Sequence, residues 1–147
     1  MNQTLGIGRK IARKLQAGDI ICLFGQLGSG KTVLTKGIAS GLGIKKSEVI
    51  SPSFVLIRQY TKAKIPLYHF DLYRLKQPKD ILCLGYEEYL YDEGITVIEW
   101  ADRLEGFLPV EYLKIEINIK EKNRRVFQLE GFGKYYKGLV SKVKELL

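Results

Sequence analysis

Gly25-Gln26-Leu27-Gly28-Ser29-Gly30-Lys31-Thr32 fits the pattern G-x-x-x-x-G-K-[ST] at every fixed position. The residue types follow from the chemistry such a loop performs. Glycines let the backbone turn sharply and come close enough for successive N–H groups to point at phosphate oxygens. A lysine at the position of Lys31 reaches the β- and γ-phosphates of a nucleotide, and the Thr32 hydroxyl is offered to Mg²⁺. The helix expected to begin near Lys31 adds its positive dipole end to the same anion. Gly25, Gln26, Leu27, Gly28, Ser29, Gly30, Lys31, Thr32 and Val33 are therefore the candidate nucleotide-binding residues.

The motif needs a buried strand before it and a helix after it. Asp19-Ile20-Ile21-Cys22-Leu23-Phe24 is a short apolar, β-branched run, and the residues from Val33 to Ala39 supply an amphipathic helix stopped by Gly41 and Gly43. Working outward, residues 3–15 space Leu5, Ile11, Ala12 and Leu15 as a helix. Residues 54–61 and 65–73 read as two strands joined by a hairpin at Thr61-Lys62-Ala63-Lys64, so an antiparallel pair interrupts the strand and helix alternation. Short helical pieces are expected at 79–84 and 85–91 with Gly85 as the break, followed by the apolar strand Ile95-Thr96-Val97-Ile98-Glu99-Trp100. Residues 112–119 alternate cleanly as a strand, 125–129 return as its hairpin partner, and 134–147 put Tyr136, Leu139, Val140, Val143 and Leu147 on one helical face.

The 147 residues read as one domain, spanning 1–147, with no repeat or linker to mark a second. No stretch approaches the roughly 18 consecutive apolar residues of a membrane span, and the first residues carry charge where a signal peptide needs an apolar core. The expectation is a cytoplasmic protein with no membrane partner. Cys22 and Cys83 stand far from any second metal ligand and read as small core hydrophobes. The formal charge of +8 suits an anionic partner without choosing among nucleotide, RNA and acidic protein. Lys120, Lys122, Arg124 and Arg125 at a hairpin turn, and the lysines of the last helix, read as solvated surface in preference to a nucleic-acid site.

A nucleotide bound as its Mg²⁺ complex needs an acid at the carboxyl end of a neighbouring strand, and a further group to orient an attacking water. Glu99 ends an apolar strand, and Asp71 follows Leu67-Tyr68-His69-Phe70. Both are candidates for catalysis and, with Thr32, for holding metal. The competing reading for each is a structural ion pair with Arg74 or Arg103. His69, the single histidine, reads as packed or hydrogen-bonded in preference to catalytic. Trp100 either stacks on a base or a partner, or packs in the core. Ser51 and Ser53, flanking Pro52, lie in a loop whose hydroxyls either sense a γ-phosphate or, as loop serines usually do, cap or turn the chain.

In order, the phosphate loop, Ser51-Pro52-Ser53-Phe54, His69-Phe70-Asp71-Leu72-Tyr73-Arg74-Leu75, Gly85-Tyr86-Glu87-Glu88-Tyr89 and Ile98-Glu99-Trp100 resemble the TsaE family, also called YjeE. These are small bacterial P-loop ATPases required for threonylcarbamoyladenosine modification of tRNA. The likeness runs from about Leu5 to Trp100. It implies an α/β, three-layer P-loop NTPase fold with a mixed, mainly parallel sheet and antiparallel strand additions. It also implies ATP and Mg²⁺ as cofactors, Lys31 and Thr32 binding phosphate and metal, Glu99 as the acid of the second nucleotide motif and Asp71 as a further essential acid. TsaB and TsaD are the implied partners, which bring tRNA indirectly, with direct tRNA binding also open; Trp100 and the aromatic residues 86–91 would lie near the docking surface. Basal ATPase activity would be weak and stimulated by those partners. The family usually has Thr where Ser53 stands. The strings N-K-x-D and D-x-x-G of guanine-nucleotide proteins do not occur in the chain. A small-molecule P-loop kinase is the rival enzyme, with Asp71 as base, and a nucleotide-switched nucleic-acid binder the rival outside enzymes.

Overall fold

β1 (Ile20–Phe24) is apolar throughout because it lies between two parallel neighbours and is covered on both faces. Ile21 and Leu23 enter one core, Ile20 and Cys22 the other. The computed structural model describes residues 2–49, 56–90 and 93–147. Around β1 the chain adds α1 (Asn2–Ala12), α2 (Lys31–Gly41), β2 (Ile57–Tyr60), β3 (Leu67–Asp71), α3 (Tyr86–Leu90), β4 (Ile95–Glu99), β5 (Tyr112–Ile119), β6 (Arg125–Phe132) and α4 (Lys134–Leu146).

The six strands form one sheet in the order β2-β3-β4-β1-β5-β6. β3, β4, β1 and β5 run parallel, while β2 and β6 pair antiparallel with β3 and β5 at the two edges. The mixed, mainly parallel sheet and both hairpins expected from the sequence are therefore present. Ile11, Leu34, Ile38, Leu139 and Val143 bring α1, α2 and α4 onto one face. The other face is covered by α3 and two stretches of 3₁₀ helix, Pro78–Leu84 and Ala101–Phe107, through Ile81, Leu90 and Leu104. These are the three layers.

α1 and α2 touch backbone to backbone. A Cβ on Gly37 would sit 2.5 Å from the Leu5 carbonyl oxygen, and one on Gly8 would meet the Leu34 carbonyl oxygen at 2.7 Å. Glycine at both positions lets α1 brace the helix whose first turn belongs to the phosphate loop.

Three expectations are corrected. Cys22 is buried, but Cys83 is exposed: with three residues per turn in the 3₁₀ stretch, Ile81 faces the core while Leu82 and Cys83 face out. Leu147 follows the last helical residue and is 52% exposed, because helical spacing no longer applies to it. α1 ends at Ala12 and not at Leu15, although Leu15 still packs in the core. Ser51, Ser53, the start of the strand expected at 54–61, and Tyr91 lie outside the described residues.

Candidate functional site

Parallel register brings the acids to the phosphate loop. Glu99 pairs with Leu23 of β1 on one side and with Asp71 of β3 on the other, so both carboxylates stand at the strand ends from which the loop springs. Alternation then selects the face. Leu67 of β3 and Ile95 and Val97 of β4 enter the α2 side of the core, which places His69, Asp71 and Glu99 on that side too.

The loop itself is held by close backbone approach. A Cβ on Gly25, at φ +150°, would lie 2.6 Å from the Ile117 carbonyl oxygen of β5. Gly28 and Gly30 also take positive φ, and Gly30 caps α2. The first turn of α2 carries no acidic residue, so its exposed N–H groups and dipole end stay available to an anion. Lys31 folds back along the loop: its ammonium donates to the Gly25 carbonyl at 2.5 Å and the Gln26 carbonyl at 3.0 Å. It also lies 3.9 Å from the centre of the Trp100 ring. Burial lowers the Lys31 pKa, and the charges of Glu99, Asp102 and Asp71 oppose that shift.

Glu99 is 1% exposed and satisfied by three groups. Thr32 Oγ1 donates to Oε1 at 2.8 Å, His69 Nε2 hydrogen-bonds Oε2, and Thr35 Oγ1, which also donates to the Lys31 carbonyl at 2.9 Å, lies 3.3 Å from Oε2. A carboxylate this deeply buried persists only when its lone pairs are used. Its partners are thus two hydroxyls and an imidazole, not Arg103, which sits over the Tyr73 and Trp100 rings at 5.6 and 5.5 Å. Asp71 is half-buried, accepting from the Tyr73 N–H at 3.1 Å.

Leu27, Gly28, Gly30, Lys31, Thr32, Val33, Asp71, Tyr73, Arg74, Glu99 and Trp100 line a single cavity of about 390 Å³. It gathers most of the residues singled out in the sequence. Gly25 and Gln26 act behind it through their bonds to Lys31, and Ser29 is fully buried beneath the loop with Oγ 3.4 Å from the ammonium. The donor set suits a hard cation: hydroxyl and carboxylate oxygens at the mouth of an anion cradle, with room for phosphate oxygens and water in the remaining positions. Among the described residues no group of three or more His, Cys, Asp and Glu is arranged to hold a metal alone.

Trp100 serves as a wall of this cavity and as a packing partner of Tyr73, with ring centres 5.0 Å apart, so neither sequence reading of it stands alone. It adopts a left-handed backbone, φ 59°, uncommon for a bulky residue and placed directly after Glu99. Of the aromatic residues expected near a docking surface, Tyr86 is buried with its hydroxyl donating to the Phe107 carbonyl at 3.0 Å. Tyr89 packs edge-on to Tyr68 and Phe70.

Two residues escaped the sequence reading. Thr35 had a signal, being three residues after Thr32 and so on its helical face. Arg125 had none. It lies 96 residues from Ser29, yet donates to the Ser29 carbonyl at 3.2 Å and the Gly28 carbonyl at 3.1 Å, so this member of the basic hairpin is not solvated surface.

Known proteins resemble the chain over nearly its whole length. The family model described as threonylcarbamoyl adenosine biosynthesis protein TsaE matches residues 1–127. The tRNA threonylcarbamoyladenosine biosynthesis protein TsaE of Bacillus subtilis is 38% identical over 137 residues, covering 93% of this chain and 85% of the relative. The protein of the same name from Synechocystis is 44% identical over 108 residues, covering 71% and 68%. A crystal structure of Bacillus subtilis YdiB superposes with a TM-score of 0.85 at 34% identity, covering 99% of this chain and 89% of that one.

Proposed function

The chain belongs to the TsaE family of tRNA threonylcarbamoyladenosine biosynthesis proteins, and from that premise we propose that it is the Mg²⁺-dependent ATPase of this modification system, coupling ATP turnover to a TsaB–TsaD complex. The observation that carries the reading is the convergence of the Thr32 hydroxyl and the Glu99 carboxylate, 2.8 Å apart, under a glycine loop whose lysine lies at the same cavity.

In this reading the residues from Gly25 to Val33 bind the phosphates, with loop N–H groups and the α2 terminus supplying fixed partial charge. Lys31 leaves its loop carbonyls to meet the β- and γ-phosphates. Thr32 and Glu99 would hold Mg²⁺ directly or through water, with Asp71 beside them placed to orient the attacking water; the ion would supply charge neutralisation for phosphoryl transfer. Trp100 and Tyr73 form one wall of the site. Basal hydrolysis is weak, and its output is a change of shape passed to the partners. In this reading the protein works in the cytoplasm, in keeping with a role in tRNA modification.

The test is ATP hydrolysis by the purified protein with and without a TsaB–TsaD complex, beside repeated tRNA threonylcarbamoylation by that complex. Stimulated hydrolysis, and modification that stops after about one round when Lys31→Ala replaces the parent, support the proposal. Repeated rounds with the protein omitted overturn it in favour of the small-molecule kinase.

A further inference from the structure

We propose that Arg125 is a positioning residue for the phosphate loop, a guanidinium fork that grips the loop from its outer side. The inference rests on the nucleotide-binding reading above. A loop that turns its N–H groups inward to an anion must turn carbonyls outward, and outward carbonyls of a glycine-rich segment have little to hold them. Here two of them are held by one side chain. Nε donates to the Ser29 carbonyl at 3.2 Å and Nη2 to the Gly28 carbonyl at 3.1 Å.

The fork is aimed by its own hairpin. Nη1 donates to the Asn123 carbonyl at 2.7 Å. Lys122 and Asn123, at φ 57° and 61°, both take the left-handed conformation that turns the chain between β5 and β6. Arg125 is half-buried at the first position of β6, paired with Ile119 of β5. β5 in turn abuts the loop through the Ile117 carbonyl at Gly25. Three donors fixed in one plane therefore engage three carbonyls, two on the loop and one on the hairpin. Lysine has a point charge and cannot span them.

The expected consequence is preorganisation: the loop stands in its anion-binding shape before the anion arrives, so part of the ordering cost is removed from binding. The test compares the parent, Arg125→Lys and Arg125→Ala. MgADP affinity is measured by calorimetry, and amide hydrogen exchange of the 26–33 segment is measured without nucleotide. Both variants should bind MgADP about tenfold more weakly, the scale of one lost charge-assisted hydrogen bond, and exchange this segment faster. Exchange in α4 should stay at the parental rate. The Lys variant, which keeps the charge, should fall with Ala and not with the parent.

Parental affinity and parental loop exchange in Arg125→Ala would overturn the clamp. So would full rescue by Lys, which would make the effect one of charge alone. If the parent itself fails to bind MgADP, the nucleotide reading falls, while loop exchange in the nucleotide-free variants still decides whether Arg125 holds the loop.

Discussion

Thr32 donates its hydroxyl hydrogen to Glu99 across 2.8 Å, tying the first turn of α2 to the end of β4. With His69 on the other oxygen, the bond joins helix and two strands through one buried carboxylate. The site is thus held by polar bonds in a place where the surrounding layers are apolar. Such networks are sensitive to loss of a single member.

His69→Ala removes a hydrogen-bond partner from a carboxylate that is only 1% exposed, and should cost about 3 kcal/mol of folding stability. Glu99→Gln, which removes the charge while keeping the shape, should cost less. The double variant should lie well short of the sum of the two, because the groups share one interaction. Urea denaturation of the four proteins checks this; simple additivity would mean that His69 matters for packing alone.

Trp100 is the only tryptophan, and the Lys31 ammonium lies 3.9 Å from its ring centre. Drawing Lys31 away toward phosphates removes a cation from the ring face. Saturating MgADP should therefore change the emission of the protein, and in Lys31→Ala the nucleotide-free spectrum should already be displaced from the parental one. Unchanged emission at a nucleotide concentration that calorimetry shows to be saturating would mean that the lysine stays where it is.

The sheet and the loop were legible because their signals are local: apolar runs of strand length, a spaced glycine motif, alternation in 112–119. The acids were legible as types at strand ends, and alternation along 67–71 also separates Leu67, His69 and Asp71 from Tyr68 and Phe70, which marks the histidine for the Glu99 side. What stayed hidden depends on contacts between distant segments. Arg125 reaches the loop only because β5 pairs with β1 and β6 with β5, and nothing in its neighbours announces that. Cys83 was misread because an apolar run was assumed to be buried throughout, whereas a 3₁₀ turn buries one residue in three.

Burial lowers the Lys31 pKa, so the folded chain gives up that proton more readily than the unfolded one. Where the unfolded state binds more protons, stability rises with pH. The penalty for burying the charged form is complete below the folded pKa of Lys31 and is relieved as pH climbs from there toward the ordinary lysine value. Tyr136, pushed up to about 12 by burial, acts in the opposite sense above the ordinary tyrosine value of about 10. Comparison with Lys31→Met isolates the lysine contribution: any stability gap in favour of the Met protein should narrow, or one in favour of the parent widen, as pH rises toward the ordinary lysine value of about 10.4. A gap independent of pH there would place Lys31 in water, contrary to its bonds with Gly25 and Gln26.

Asp71 and Glu99 should separate binding from chemistry, each in its own way. Glu99 is closed in by Thr32, Thr35 and His69, which leaves its carboxylate little freedom to follow a moving water but sets it beside the Thr32 hydroxyl. Asp71 lines the same cavity from a half-buried position. Glu99→Gln is therefore expected to raise the Mg²⁺ concentration needed for half-maximal hydrolysis, while Asp71→Asn should leave that requirement near parental and lower turnover about a hundredfold, the scale of a lost general base. Both should keep ADP affinity within about threefold of the parent, since neither carboxylate is placed to bind the base, and one unit of charge at the metal is partly replaced by water. Hydrolysis as a function of Mg²⁺, under partner-stimulated conditions, distinguishes the two. Parental turnover in Asp71→Asn would make Asp71 a structural residue of the β3 end, and a raised Mg²⁺ requirement in that variant alone would exchange the two roles.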